Sequence, residues 1–345
     1  MQPVRKGVFL VRKLILFSIA MSFLLLSVYS RSAPSAPVKI TVAISYEPQL
    51  GAQLTVADKQ GFFKAQGLDV TLKPFPTGAA MKEAVVAGQL DVAVMGDPPA
   101  LTIGAAGGPA HVVAQQANIS GVQAIVASMA VKTPKDLEGK KVGYIKGSTP
   151  EALFTTFAKT YGVNASKVQL LTMGQPEMVA AMATGSVDAV VLTGPFVRQA
   201  AKAAKGGGWI MSTATTSYLP GREGPKKLIA VYGLVVMSDN FLKKDPDAAK
   251  RFLAAMAQAT DFVNADRIKA VKIHAAASNI PEEEVERTMS LATYQMFLNQ
   301  ELLDDLTNNA RFLYSVDALK TDVNVSHLID ARYLKAVRPT WVTIE

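Results

Sequence analysis

The sequence of 345 residues contains no cysteine. This absence excludes disulfides, thiolate metal sites, a cysteine nucleophile and lipid attachment through an N-terminal cysteine. Histidine is scarce as well, since only His111, His274 and His327 occur, far apart, and we expect each to be a packing or surface residue. No His-Glu-x-x-His, Gly-x-Ser-x-Gly or calcium-loop pattern is present. The sequence therefore predicts no catalytic residue, no metal site and no cofactor.

A basic run of the kind that tracks nucleic acid is also missing. The formal net charge is +8, from 36 Lys and Arg against 28 Asp and Glu. Five of the basic residues and no acidic residue precede position 34, so the rest of the chain carries about +3. This weak positive field predicts no nucleic-acid partner.

The first 33 residues have the three parts of a secretory signal peptide. Basic residues precede an uncharged apolar run at 14–29, and a tail of small residues with Pro34 and Pro37 follows. The run is shorter than the ~20 residues of a membrane-spanning helix, although a permanent anchor is the alternative. We expect a signal peptide over residues 1–33, cleavage between residues 30 and 36, and a soluble, monomeric, periplasmic product.

The chain shows the same α/β pattern twice. Residues 84–98 are echoed by residues 181–195, and residues 42–61 are echoed by residues 142–162. The copies lie about 100 residues apart, which suits one small domain each and is too far for a solenoid repeat. Two similar lobes predict a cleft between them, and a cleft predicts a ligand.

Strands alternate with helices along both copies, which predicts mostly parallel sheets. An almost continuous apolar stretch at 227–237 predicts a strand that returns to the first lobe. Asp245-Pro246 and Pro281 open helices of a C-terminal tail, in which we expect no chemistry. The predicted division is residues 38–125 for the first part of lobe I, 126–227 for lobe II, and 228–345 for the second part of lobe I with its helical tail.

Helix starts gather at the predicted strand ends. Asp97-Pro98, Thr149-Pro150 and Gly194-Pro195 each end a strand or loop and begin a helix. The first N–H groups of a helix are unpaired and attract anions, and ligands of open α/β sheets bind at the carboxyl ends of the strands. Each start alone could be a well-capped helix and nothing more. Their convergence from both lobes favours a site for a small polar, anionic group.

Two other patterns have structural explanations. Lys146-Gly147-Ser148-Thr149 resembles the end of a nucleotide-binding loop, but that motif places lysine after glycine, so we expect no ATPase. Asp91 and Asp188 occupy matching positions of the repeat, just before buried strands. We expect them to hold turns rather than to perform acid–base chemistry.

Several phrases together resemble the periplasmic solute-binding proteins of ABC importers, in the group for aliphatic sulfonates, taurine and nitrate. The phrases lie at residues 84–91, 96–99, 134–143 and 146–149, and the resemblance covers about residues 38–265. It implies the type II periplasmic-binding-protein fold: two mostly parallel-sheet lobes joined by two crossing strands, which trap a ligand by hinge closure. It also implies a small-molecule ligand and an ABC transporter permease, with its ATPase subunit, as partners.

Carried onto matching positions, the resemblance implies a set of ligand-binding residues from both lobes. They are Tyr46, Gln49, Thr77, Gly78, Gly96, Asp97, Ser120, Gly147, Ser148, Thr149, Thr193, Gly194 and Pro195. Many relatives have an aromatic or acidic residue where Thr193-Gly194 stands here, so the ligand stays open among sulfonates, taurine, nitrate and sulfate esters.

Asp97 has two interpretations. It caps its own helix, or it faces the cleft and pairs with an amine, which would favour an aminosulfonate over nitrate. Two other functions also stay open at this point. The resemblance extends to enzymes of thiamine-pyrimidine and menaquinone metabolism that reuse this architecture, and a sensor or accessory binding module without its own transporter is the other alternative.

Overall fold

The computed structural model describes residues 36–344, and the predicted signal peptide lies outside these residues. Lobe I begins with a β-strand and alternates strands with helices. Its first eight elements are β1 (Val38–Ile44), α1 (Pro48–Lys59), α2 (Phe62–Ala65), β2 (Leu68–Pro74), α3 (Gly78–Val86), β3 (Val92–Gly96), α4 (Asp97–Ala105) and β4 (Ala110–Asn118).

Lobe II repeats this alternation and ends in short strands. Its elements are β5 (Gln123–Ser128), β6 (Lys141–Tyr144), α5 (Thr149–Tyr161), β7 (Gln169–Thr172), α6 (Gln175–Thr184), β8 (Ala189–Thr193), α7 (Pro195–Ala203), β9 (Gly208–Thr213), β10 (Thr216–Ser217) and β11 (Gly224–Pro225).

The chain then returns to lobe I, where the return strand starts at Tyr232 rather than at residue 227. A mainly helical tail follows. The elements are β12 (Tyr232–Ser238), α8 (Asp239–Lys244), α9 (Pro246–Ala265), α10 (Arg267–Ser278), α11 (Glu282–Ser290), β13 (Thr293–Tyr294), α12 (Gln300–Ser315), α13 (Val325–Leu328) and α14 (Arg332–Val337).

Each lobe contains one mixed sheet. The six-stranded sheet of lobe I has the order β13-β4-β12-β3-β1-β2, and the seven-stranded sheet of lobe II has the order β11-β10-β9-β5-β8-β6-β7. The strands β2-β1-β3 and β7-β6-β8 are parallel, and the other pairs are antiparallel. The α/β class and the two-lobed type II fold are thus confirmed. The share of parallel pairing is lower than expected, because β12 in lobe I and β5 in lobe II run against the parallel strands and pair antiparallel on both sides.

The two copies of the internal repeat share an equivalent hydrogen bond. The Asp91 carboxylate accepts the Thr41 N–H at 2.7 Å, and the Asp188 carboxylate accepts the Lys141 N–H at 2.9 Å. Each carboxylate therefore ties the turn before a buried strand to the neighbouring parallel strand. The prediction that these residues hold turns is confirmed.

The chain crosses between the sheets at residues 119–122 and returns at residues 226–231. Ser120 links the two crossings, because its Oγ donates to Asn118 Oδ1 at 2.6 Å and accepts the Val231 N–H at 2.8 Å. The lobe boundaries given above stay a prediction.

Helix α12 of the tail reaches both lobes. It packs against α4 of lobe I and contacts α5 of lobe II, and Ala318, just beyond it, lies 3.1 Å from where a Cβ on Gly147 would stand. The tail therefore lies along one side of the cleft between the two lobes. Among residues 36–344, no helix combines the length and the apolar character that crossing a bilayer requires.

Candidate functional site

The carboxyl ends of the parallel strands in the two sheets carry most of the predicted site residues. In lobe I these ends lead into α1, α3 and α4, and in lobe II they lead into α5, α6 and α7. Proline in the first turn fixes the start of several of these helices, since its ring supplies the helical φ and it needs no N–H partner there.

Gln49 is buried at the start of α1, where its Nε2 donates to the Glu47 carboxylate at 2.8 Å. Its backbone carbonyl accepts from Gln116 on β4, and the Gln49 Oε1 atom has no hydrogen-bond partner among the described residues. Burial raises the pKa of Glu47, and the hydrogen bond from Gln49 offsets part of this effect. The start of α1 therefore carries two acceptor groups, the Glu47 carboxylate and Gln49 Oε1.

Tyr46, which precedes this pair, is half-buried, and its backbone carbonyl accepts from His274 of the tail at 3.1 Å. His274 is fully buried, and its other ring nitrogen contacts the Thr55 hydroxyl at 3.0 Å. Desolvation lowers the pKa of His274 to about 4, so the ring is neutral at pH 7. The expectation that His274 is a packing residue is confirmed.

Asp97 is the first residue of α4, and Gly96 is its N-cap, so the side chain of Asp97 is not the cap. It is fully buried, with Oδ2 accepting from Asn309 Nδ2 of α12, while Oδ1 has no partner among the described residues. The same Asn309 amide donates to the Ala230 carbonyl at 2.9 Å. Desolvation raises the pKa of Asp97 to about 7, against the opposing effect of hydrogen bonds. The tail, in which we expected no chemistry, thus supplies the hydrogen-bond partner of this carboxyl.

Thr77, Gly78 and Gly96 frame the same edge of lobe I. Thr77 caps α3, with its Oγ1 accepting the Ala80 N–H at 3.2 Å. A Cβ on Gly78 would lie 2.8 Å from Pro99, so glycine allows α3 and α4 to approach closely. Ser120 belongs to the hinge, where its hydroxyl is bonded to Asn118 and Val231.

In lobe II, Thr149 begins α5 behind the N-cap Ser148. The Thr149 Oγ1 accepts from Gln123 Nε2 at 2.6 Å, and Ser148 Oγ donates to the Ile145 carbonyl. Gly147, which adopts φ +69°, donates its N–H to the Glu151 carboxylate at 2.6 Å. The Thr149 and Ser148 hydroxyls and the Gly147 N–H, where we expected an anion to bind, thus have hydrogen-bond partners within the chain.

Thr193, Gly194 and Pro195 form the turn from β8 into α7. The Thr193 N–H donates to Gln175 Oε1 at 2.9 Å, and Gly194 adopts φ 57° and ψ −137°, a conformation that suits glycine. The position of a Cβ on Gly194 lies 3.9 Å from Gln49 Nε2. This approach brings predicted site residues of the two lobes together.

A cavity of about 220 Å³ adjoins this turn, between lobe II and α11. Gly194, Pro195 and Arg198 line it on one side, and Glu284 and Arg287 line it on the other. Arg287 is paired with Glu283 and Glu284. Most of the lining is apolar, so the cavity suits an organic group with a charged end.

Metal binding has no support in residues 36–344, where no three His, Asp or Glu side chains are grouped so that they could hold an ion. His111 pairs with Asp239 at 2.8 Å, and His327 is exposed, far from the cleft in both cases.

Sequence reasoning missed Glu47, Gln123 and Asn309. A signal for Gln123 existed, because it is polar within an apolar strand and stands opposite Thr193 in the β5–β8 pairing. Glu47 lies two residues before Gln49, between the first strand and α1, so its polar side chain at a strand end could have identified it as well. Asn309 had no such signal, since it lies 212 residues from Asp97.

Three comparisons place this geometry among known proteins. Residues 51–270 match the family described as NMT1/THI5 like. Relatives include a binding protein of Brucella abortus, 26% identical over 255 residues (74% of this chain, 75% of the relative), and the taurine-binding periplasmic protein of Escherichia coli, 25% identical over 265 residues (74% and 78%). A third is the 4-amino-5-hydroxymethyl-2-methylpyrimidine phosphate synthase THI13 of Saccharomyces cerevisiae, 26% identical over 252 residues (68% and 69%).

Solved structures share the fold. The periplasmic aliphatic sulphonate binding protein SsuA from Escherichia coli superposes with a TM-score of 0.71 at 18% identity, covering 85% of this chain and 97% of that one. The periplasmic nitrate-binding protein NrtA from Synechocystis PCC 6803 gives a TM-score of 0.63 at 16% identity, covering 88% and 89%. At this identity the likeness shows the architecture and leaves the ligand to be argued from the residues.

Proposed function

The chain belongs to the NMT1/THI5-like family, and we propose that it is an extracytoplasmic solute-binding protein that captures a small organic solute by hinge closure and delivers it to an ABC importer. The observation that carries the proposal is the approach of Gln49 at the start of α1 to Gly194 at the start of α7. These residues come from opposite lobes and lie at the strand ends where ligands of open α/β sheets bind.

The proposed ligand site comprises residues at the strand ends of both lobes, on either side of this approach. We place it at Tyr46, Gln49, Thr77, Gly78, Gly96 and Asp97 of lobe I, with Ser120 at the hinge. Lobe II contributes Gly147, Ser148, Thr149, Thr193, Gly194 and Pro195. Ser120 acts there through the hinge, because its hydroxyl is already bonded to Asn118 and Val231.

The solute carries an anionic, sulfonate-like group in this proposal. The names of the taurine-binding and sulphonate-binding relatives support it. The Arg198 side chain on the wall of the cavity beside Gly194 also supports it, because a guanidinium matches the geometry of an oxyanion.

Location and partners follow from the same proposal. The signal peptide at residues 1–33 would direct the chain to the periplasm, where the relatives named for periplasmic binding are found. There a permease with its ATPase subunit would receive the loaded protein. N-terminal sequencing of exported material should give a first residue between 31 and 37, and recovery of the uncleaved chain in the membrane would contradict this location.

An enzyme on the same fold is the second candidate, and the name of the yeast synthase is the observation that favours it. We propose binding without turnover, because the described cleft residues include no nucleophile activated by a neighbouring base. A sensor that shares the binding step but lacks a permease is the third candidate. Transport assays in cells with and without a permease encoded beside this chain would separate a sensor from a transport component.

Calorimetric titration of the processed protein tests the proposed function. The panel contains ethanesulfonate, 2-aminoethanesulfonate, nitrate, a sulfate ester and an aminopyrimidine, and each sample is analysed for product. We expect one saturable site and unchanged solute. Thr149→Ala should weaken binding about tenfold through the lost partner of Gln123. Thr184→Ala, which removes a hydroxyl bonded within α6, is the control and should bind normally. Turnover of a solute, or no binding by any of them, would contradict the proposal.

A further inference from the structure

The second crossing, residues 226–231, is bonded to lobe II at its start and continues into lobe I at its end. From Tyr232 on, the chain pairs as β12 within the sheet of lobe I. Between these two ends, residues 228–231 carry the change from one lobe to the other. Two bonds at 2.8 Å hold the start to the segment between β9 and β10, from the Lys226 N–H to the Thr215 carbonyl and from the Leu228 N–H to the Ala214 carbonyl.

Lys227 lies between these two bonds, and its side chain is bonded to the tail. The Lys227 Nζ donates to the Asp305 carboxylate at 2.9 Å and to the Glu301 carboxylate at 3.1 Å, both on α12. Helix α12 packs against α4 of lobe I. The two ion pairs therefore join a residue whose backbone neighbours are held by lobe II to a helix that is packed on lobe I.

Helix α12 presents one polar face to the second crossing. Glu301, Asp305 and Asn309 are spaced by four residues, so their side chains lie on the same side of the helix. Asp305 also accepts from the Tyr232 hydroxyl at 2.7 Å, and Asn309 donates to the Ala230 carbonyl at 2.9 Å. This face thus follows the crossing from its lobe II end to the start of β12.

The bond between Lys227 and Asp305 is the stronger of the two ion pairs. The Asp305 side chain is 14% exposed, whereas the side chains of Lys227 and Glu301 are 53% and 68% exposed. Exposed ion pairs contribute little, and a shielded carboxylate that accepts from two donors contributes more. Burial lowers the pKa of Lys227, but the hydrogen bonds to the two carboxylates outweigh it and raise the pKa above its ordinary value. The ammonium group is therefore charged at pH 7.

We infer that Lys227 and Asp305 are positioning residues for lobe closure, because their ion pair stabilises the arrangement in which Gln49 lies near Gly194. The inference rests on the proposed function, in which closure traps the solute. A rotation of lobe II about residues 228–231 displaces the backbone of Lys227 relative to α12, so opening the cleft must lengthen or break the pair. The pair acts on affinity through the population of the closed arrangement, without contact to the solute.

Distance measurements between the lobes test the inference without any solute. The chain has no cysteine, so Glu83→Cys in α3 and Thr160→Cys in α5, both at exposed positions, place one spin label on each lobe. Double electron–electron resonance then gives the ratio of open to closed protein. We expect Lys227→Met to raise this ratio about threefold to fivefold. Lys226→Met is the matched control at the neighbouring exposed lysine, which is bonded through its backbone N–H, and it should keep the original ratio.

Two further measurements separate positioning from general destabilisation. The effect of Lys227→Met on the ratio should shrink in about 1 M salt, because ion pairs at partly exposed side chains are screened there. Calorimetry with 2-aminoethanesulfonate should give affinity weaker by at most the same factor, because the apparent affinity falls with the fraction of closed protein. A lower melting temperature with an unchanged ratio would overturn the inference, since a purely structural contact gives that result.

Asp305→Asn is a second variant, should Lys227→Met fail to fold. Its control is Asp304→Asn on the same helix, where the carboxylate accepts from Gln300 at 2.8 Å. Distance distributions equal to those of the controls, or a shift toward the closed arrangement, would overturn the inference. No binding of any solute of the panel by the original protein would overturn the proposed function, whereas the distance distributions would still decide the role of the ion pair.

Discussion

Burial raises the pKa of Asp97 to about 7, because the carboxyl is removed from water and the hydrogen bond from Asn309 compensates only in part. The unfolded chain loses this proton near pH 4. Between these two values the folded protein holds a proton that the unfolded chain has released, so this residue makes the free energy of unfolding fall as pH rises. A shift of about three units corresponds to roughly 4 kcal/mol at most.

The variant Asp97→Asn does not titrate, so its free energy of unfolding should rise relative to the original protein between pH 4 and pH 7. Urea unfolding at several pH values measures this difference. The comparison matters because His274 has the opposite effect: its pKa is lowered to about 4, so it stabilises the fold progressively as pH rises to about 6.5. A pH-independent difference between the two proteins would show that Asp97 is ionised in the fold.

At the level of secondary-structure elements, the hinge depends on a close backbone approach. A Cβ on Gly121, in the short 3-10 turn of the first crossing, would overlap the Leu291 carbonyl at the end of α11. Gly121→Ala should therefore push the crossing away from lobe I and cost about 1–3 kcal/mol. Scanning calorimetry should show a melting temperature several degrees lower. Gly174→Ala is the control, because nothing lies within 4 Å of its Cβ position, and it should melt near the original temperature.

Should Gly121→Ala melt like the control, the close contact with Leu291 would be absent in solution. The variant also has a functional readout, since Gly121 lies in the hinge and lines the cavity beside Gly194. Reduced affinity for every solute that binds, with their order unchanged, is the pattern expected of a hinge defect.

Local patterns predicted the elements well. Helices α5 and α7 begin within one residue of the predicted start, because Pro150 and Pro195 mark it. The return strand began five residues later than predicted, because residues 228–231 are apolar and buried in the second crossing rather than paired in a sheet. Apolar character alone does not distinguish these two environments.

The arrangement of the site was less accessible to sequence reasoning. The strand-end positions were predictable, since the repeat and the turn residues identify them. The partners of those positions were not, because Asn309 with Asp97 and Gln123 with Thr149 are contacts between distant or opposed segments. Helix periodicity places α12 in a core but does not specify which residue it turns toward a given carboxyl.

At the scale of the whole molecule, two crossings of the chain join the two sheets. Gln49 approaches Gly194 on one side, and Ala318 approaches Gly147 on the other. A solute that pairs with groups of both lobes binds the closed arrangement more strongly, so it must shift the population toward closure. Small-angle scattering of the processed protein should therefore give a smaller radius of gyration with saturating 2-aminoethanesulfonate than without it. Tight binding of 2-aminoethanesulfonate with no change of radius would contradict hinge closure, because the energy of binding would then come from a single lobe.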